Sequence, residues 1–137
     1  MAAESEVMAA LFTRLASFVA SPVLPVSYPN VTFTPPANQR YLRAQFVPNT
    51  TNRVLIDTDG PHQHLGFLQV SVYWAKGQGE AGPRAIASAI ADHFPADLRL
   101  TSGGVSVRIT ARPSVRDLII EDAAVQIPVL VAWEAWI

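Results

Sequence analysis

Apolar and polar side chains follow two different periods along the middle of the chain. Over residues 68–74 they alternate one by one, and this two-residue period predicts a strand with one buried and one wetter face. A glycine-rich loop occupies residues 76–82, and Ile86, Ile90 and Phe94 then recur every fourth residue. That spacing predicts a helix with one apolar stripe. The strand, the loop and the helix are therefore the centre of the predicted fold.

Similar patterns predict further elements on both sides of this centre. A first helix is predicted over residues 4–18, and a short edge strand is predicted at Val31 and Phe33 inside a proline-rich segment. Further strands are predicted over residues 40–47, 98–101, 105–112, 117–121 and 127–136. The chain is thus predicted to form one α+β domain, residues 1–137. Its sheet is mixed and mostly antiparallel, with two helices packed on one face.

Two segments of this fold are predicted to meet other proteins. The last strand, residues 127–136, is apolar on both faces, so one face needs a helix and the other needs a different cover, such as a neighbouring subunit. Residues 48–65 are polar and turn-rich, and we expect a long hairpin whose tip leaves the body of the domain. Long loops in compact domains are more often functional than incidental.

Composition narrows the class of protein. The 137 residues are half apolar and 15% charged, with a formal charge of −1, so the chain has no general attraction for nucleic acid or anionic lipid. It contains no cysteine, which excludes disulfides and thiolate metal sites. Glu4 and Glu6 occupy the region where a signal peptide would be basic, and no uncharged stretch is long enough for a convincing membrane span. We expect a soluble protein.

The loop after the central strand contains Gly77-x-Gly79-x-x-Gly82, which matches the fingerprint of dinucleotide-binding loops. A parallel strand in such a fold would be apolar on both faces, whereas this strand alternates. No acidic residue ends a second parallel strand about 20 residues later, where the ribose would be bound. We therefore expect a flexible or partner-facing loop, and we assign no cofactor.

A second group of polar residues lies between the predicted strands. His62 and His64 are two positions apart, near Asp57 and Asp59, and two such histidines can share one face and bind a metal. An exposed polar turn explains the same residues, because the pair lies beside Gly60-Pro61. The two aspartates resemble only a fragment of a calcium loop and lack its distal glutamate. Both interpretations stay open, and we assign no metal. No nucleophile motif is present either, so no catalytic residue is predicted.

Arginines recur on the predicted solvent faces of the strands. They form either a solvated sheet face or a charged contact surface for another protein. The candidates for subunit contacts are these arginines together with two tryptophans of the closing strand: Arg40, Arg43, Arg108, Arg112, Trp133 and Trp136.

Several short motifs, taken in order, resemble the tail terminator-like proteins of tailed phages and prophages with long, non-contractile tails. The resemblance begins at residues 29–36 (PNVTFTPP) and continues with YLR at 41–43 and PN at 48–49. It proceeds through Gly66, QVSV at 69–72, KGQG at 76–79, GGVSVRI at 103–109, PSV at 113–115 and IPV at 127–129. Ala75 departs from the pattern, since that family is expected to have proline there.

The resemblance implies a structural virion protein without catalysis or a cofactor. It implies a homo-oligomeric ring, a hexamer, at the head-proximal end of the tail tube, assembled from chains made in the cytoplasm of the bacterial host. The ring would stop addition of tube protein and present a surface to head-completion or connector proteins, with no nucleic-acid specificity and no membrane contact. Candidate contacts with these partners lie in the two polar loops: Arg53, Asp57, Asp59, His62, His64, Lys76, Gln78 and Glu80. The alternatives are another head–tail connector ring protein and a small nucleotide-binding enzyme using the glycine loop.

Overall fold

Two helices and eight strands form the fold. The computed structural model describes residues 3–18, 24–52 and 62–137. In chain order the elements are α1 (Ala3–Ala16), β1 (Val26–Ser27), β2 (Tyr41–Asn52), β3 (Gln63–Ala75), α2 (Ala81–His93), β4 (Arg99–Ser102), β5 (Val105–Ile109), β6 (Ser114–Val115), β7 (Ile119–Ile120) and β8 (Ala124–Trp136). In the described residues, no helix is both long and apolar enough to cross a membrane.

The strands form one mixed sheet around three long members. The order is β1-β2-β3-β8-β5-β4, and β6 and β7 pair with β8 along the edge that β5 also uses. Only the β1–β2 pair is parallel among the described strands. The predicted α+β class, with a mostly antiparallel mixed sheet, is therefore confirmed.

Both helices cover the same face of this sheet. Helix α1 contacts β2, β4 and β5, whereas α2 contacts β3, β6 and β8. Ile86, Ile90 and Phe94 are buried as their spacing predicts, and Ala87 and Ala91 are completely buried between them. These small side chains let α2 lie close to the sheet. Burial of each large apolar side chain stabilises the fold by about 1.5–3 kcal/mol. The face under the helices is the hydrophobic core.

One glycine in β3 is required by the packing of this core. Gly66 pairs with Trp133 of β8, whose indole lies across it and stacks on Phe46 at 5.5 Å. A Cβ atom on residue 66 would be 2.5 Å from the carbonyl oxygen of Val47 and 2.6 Å from Cζ2 of Trp133. Only glycine fits here without a shift of the backbone or the indole ring.

Three sequence predictions about the sheet are corrected by the structure. Val31 and Phe33 form no strand; the edge strand is β1, which pairs with β2 at Leu42, because Asn30 has a positive φ of 56° and turns the chain away. Strand β2 does not end near residue 47 but continues to Asn52, past a register shift after Pro48.

The face of β3 predicted to be wetter is also largely buried near its end. Tyr73 is 6% exposed and Ser71 is 3% exposed. Tyr41 of β2 stacks on Tyr73 with its ring centroid 4.7 Å away and nearly parallel, so a neighbouring strand provides the cover. Cross-strand aromatic pairs of this kind stabilise a sheet face that has no helix on it.

Candidate functional site

The sheet face opposite the helices has no helix or strand over it within the described part of the chain. We call this the open face; it consists of the alternate residues of β2, β3 and β8 that point away from α1 and α2. Val47, Phe67 and Ala132 lie side by side in its middle row, and all three are half-buried. Trp136, at one end of β8, is 47% exposed. A half-covered apolar sheet face of this kind is typical of a surface that contacts another protein.

One end of the open face carries a charged cluster. Arg108 of β5 lies between two carboxylates, with Nη2 2.8 Å from Glu134 and Nη1 2.8 Å from Asp97. The side-chain amide of Gln63 donates a 2.6 Å hydrogen bond to Glu134. These hydrogen bonds, from Gln63 first and then Arg108, lower the pKa of Glu134. Arg108, a candidate subunit contact, is therefore already paired within its own chain.

The other end of the open face carries Arg43 and the two stacked tyrosines. Arg43 is exposed, and its Nη1 is 3.5 Å from the hydroxyl of Tyr73. This hydrogen bond is the largest cause of the raised pKa of Arg43, and the charge of Glu121 acts in the same direction. Arg43 forms no salt bridge with another described residue, and its exposed guanidinium can also contact a partner.

Arg40 has a different role from Arg43. Its guanidinium lies 4.1 Å from the ring centroid of Trp74, and its Nη2 donates a 2.7 Å hydrogen bond to Gln78. A cation over an aromatic ring is a favourable contact, and here it also ties the 76–80 loop to the sheet. The candidate contact Arg40 is thus half-buried and positions the loop that contains the candidate Gln78.

The glycine fingerprint of this loop has an explanation in packing. Gly82 lies in the first turn of α2, and a Cβ atom on it would be 2.9 Å from Cζ2 of Trp74. The third glycine of the motif therefore lets helix α2 approach strand β3. Lys76 and Glu80 are both exposed, and Glu80 pairs with Arg84 one helical turn later at 2.5 Å. The loop offers charged side chains to solvent at one end of the sheet.

The histidine pair lies at the opposite end of β3. The backbone of His62 exchanges two hydrogen bonds with Ile137, and Nδ1 of His64 lies 3.3 Å from Thr51 and 3.7 Å from Glu4. Within the described residues no three histidine, cysteine or acidic side chains are close enough to hold a metal. Arg53, Asp57 and Asp59 lie outside the described residues.

The remaining candidates differ in how accessible they are. Trp133 is 1% exposed and packed against Gly66, so it belongs to the core and offers no surface to another subunit. Arg112 is exposed and pairs with Asp92 at 2.7 Å. Sequence reasoning did not single out Ile119 and Ile120, which are 45% and 67% exposed. Two adjacent isoleucines beside acidic residues were the only available signal.

The comparison with known proteins decides the family. A family model described as phage tail terminator protein matches residues 6–133. The chain belongs to the phage tail terminator family. One solved structure, which carries no functional name, has 30% sequence identity and a TM-score of 0.80, covering 98% of this chain and 96% of its own. No curated protein sequence matches the chain.

Membership of this family confirms the resemblance found in the sequence motifs. The terminator protein is a structural component of a phage tail, and proteins of the tail and the head are its partners in general terms. The open face and the exposed loops are therefore candidate protein-interaction surfaces.

Proposed function

We propose that this terminator forms a hexameric ring that caps the head-proximal end of the tail tube. The ring stops the addition of tube subunits and gives the head-completion or connector proteins a surface to bind. The observation that carries this proposal is the match to the terminator family over residues 6–133. Its role needs no catalytic group and no cofactor.

The open face supports contact with a protein of the tail or the head. Its middle row, Val47, Phe67 and Ala132, keeps part of its apolar surface in contact with solvent in a single chain. Covering such a surface removes apolar area from water, and each square ångström of buried apolar area makes the free energy more favourable by about 25 cal/mol. A protein of the tail or the head that packs on this row covers it, which a free single chain cannot do.

The two segments proposed to contact partners begin and end at opposite ends of strand β3. The 76–80 loop follows Ala75, whereas the connection from β2 enters β3 at Gln63. Thirteen residues of strand lie between these ends, a span of roughly 40 Å at about 3.3 Å per residue. We propose that one loop contacts the tube and the other contacts the head connector, because the two ends of β3 are too far apart to share one small binding surface.

A tube-growth assay tests the proposal. Tail tube protein is polymerised with and without the terminator, and tube length and tube ends are recorded by negative-stain electron microscopy. We expect tubes that stop growing and carry one ring at one end. A protein that binds head connectors but leaves tube growth unchanged is instead another connector ring.

The candidates Arg53 and Lys76 are tested in the same assay. Replacing both by glutamate is expected to impair tail joining while the fold stays intact, because both belong to the polar segments that the sequence predicts to contact partners. Ser88→Glu is the matched control, since Ser88 is exposed on α2 away from both loops. Normal joining by the double variant would remove these residues from the contact surface.

A further inference from the structure

We infer that neighbouring copies in the proposed ring contact each other through two different edges of the sheet. The first edge is formed by β1, β2 and the segment between them, residues 24–52. The second is formed by β6, β7 and their flanking residues, 113–126. This inference rests on the proposed ring, and it names the surfaces that would hold the ring together.

The two edges are on different sides of the same sheet. Strands β3 and β8 separate β2 from β6 and β7. On one side β3 pairs with β2, and on the other side β8 pairs with β6 and β7, while β3 and β8 pair with each other. A contact between unlike edges is heterologous, and heterologous contacts that close produce rings.

Each edge exposes large aliphatic side chains. Val31 is 62% exposed at the first edge, where its N–H donates to the carbonyl oxygen of Tyr28 and closes a turn. Ile119 and Ile120 are 45% and 67% exposed at the second edge. Ile119 also borders a surface groove with Leu130 of the open face. Together with Trp136, these three are the large exposed hydrophobic residues of the described chain.

The charges of the two edges are complementary. Residues 24–52 contain two arginines and no acidic residue, whereas residues 113–126 contain three acidic residues and one arginine. Arg43 on the first edge is exposed, as are Asp117, Glu121 and Asp122 on the second. None of these four side chains forms a salt bridge with another described residue, although the charge of Glu121 contributes to the raised pKa of Arg43 within one chain.

This complementarity favours a second copy of the same chain as the occupant of each edge. A basic edge with an exposed valine fits an acidic edge with two exposed isoleucines, since opposite charges attract and the aliphatic groups leave water together. A symmetric dimer that used the same edge twice would instead bring like charges together. The contact is therefore head to tail.

A crosslinking experiment tests this inference directly, because the chain contains no cysteine. One copy carries Val31→Cys and a second copy carries Ile119→Cys, both at exposed positions. The two are mixed, treated with a short bifunctional maleimide and resolved by mass. We expect dimers, because each contact would join one thiol of each kind. The control mixture pairs Val31→Cys with Ser88→Cys on the outer side of α2, and it should give few dimers.

Charge reversal adds a second readout to the same mixture. Arg43→Glu in the Val31→Cys copy should lower the dimer yield, and so should high salt, because screening weakens exposed charge contacts. Arg99→Glu is the matched control, since Arg99 is exposed on β4 outside both edges. Equal losses with Arg43→Glu and Arg99→Glu would count against the assigned edges.

The outcomes separate this inference from the proposed function. The crosslinking is done on the free protein and again on protein bound to tail tubes. If the protein forms ring-sized particles but the Val31→Cys and Ile119→Cys mixture gives no more dimer than the control mixture, the edge assignment is wrong and the ring stands. Monomeric protein in both settings would overturn the ring and the edge assignment together.

Discussion

Replacement of Gly66 by alanine should destabilise the terminator by overpacking its core. The added Cβ would lie 2.5 Å from the carbonyl oxygen of Val47 and 2.6 Å from Cζ2 of Trp133. Overpacking of this kind lowers the free energy of unfolding by about 1–3 kcal/mol. The smaller conformational freedom of alanine in the unfolded chain raises it by roughly 0.4–1 kcal/mol. We expect the free energy of unfolding to fall by about 1–2 kcal/mol, a substantial share of a total near 5–15 kcal/mol.

Urea unfolding followed by tryptophan fluorescence measures this change, at a protein concentration where the oligomeric state is constant. The midpoint should fall while the slope stays the same. Trp133→Phe provides a second background, because it removes the indole atoms that the new Cβ would meet. Nε1 of Trp133 is buried without a hydrogen-bond partner among the described residues, so this change removes no hydrogen bond.

A double-mutant cycle then isolates the contact. Gly66→Ala should cost less in the Trp133→Phe background than in the wild-type background, but some cost should remain because the Val47 carbonyl is unchanged. If the unfolding free energy of Gly66→Ala is within about 0.5 kcal/mol of the wild-type value, Gly66 is not required by the packing. If Gly66→Ala lowers stability equally in the wild-type and Trp133→Phe backgrounds, the indole is not the group that the new Cβ meets.

Three further predictions follow from other contacts. Gly82→Ala should lower stability by about 1 kcal/mol despite the better helix propensity of alanine, because its Cβ would lie 2.9 Å from Trp74; a melting-temperature rise with any nucleotide in the wild type would instead support a cofactor site. The lowered pKa of Glu134 means that its ionised form stabilises the fold above the ordinary value of 4.5 and that this contribution is lost as the pH falls through the lower folded value. Wild-type urea midpoints should therefore fall more steeply below about pH 4.5 than those of Glu134→Gln, and parallel profiles would contradict this. Lys76→Glu alone should reduce tail joining at unchanged melting temperature, since Lys76 is exposed in the loop; a loss of the same size in Ser88→Glu would show that the effect is not specific to the loop.

Local patterns in the sequence predicted the elements that depend on local physics. The four-residue spacing of Ile86, Ile90 and Phe94 predicted α2, and all three side chains are buried. Strands were predicted over residues 98–101 and 105–112, and Gly103 and Gly104 between them have the positive φ that a two-residue hairpin turn requires. These features are fixed by neighbours in the chain, so they can be recognised before the fold is known.

Features that depend on distant packing were harder to predict. The parallel β1–β2 pair joins only two residues on each strand, and its position depends on where the proline-rich segment crosses the sheet. Both tryptophans of β8 were proposed as subunit contacts, but Trp133 faces the helices and Trp136 faces outward. The two-residue period separates their faces, but it does not say which face the helices cover.

The candidate surfaces were predicted only in part for the same reason. The apolar character of both faces of β8 predicted a cover on each side, and the open face bears half-buried apolar residues as expected. The exposure of Ile119 and Ile120 could not be inferred, because an apolar pair in a short strand is usually buried. Their exposure depends on the edge position of β7, which only the tertiary structure gives.

The mass of the assembled terminator is the first measurement to make on the proposed ring. Light scattering over a concentration series, with and without short tail tubes, measures the mass of free and tube-bound protein, and negative-stain images show its shape. The proposed hexamer predicts closed rings of uniform diameter with six chains of 14.8 kDa, a mass of about 89 kDa, free in solution or at one end of each tube. Protein that stays monomeric in the presence of excess tubes would contradict it.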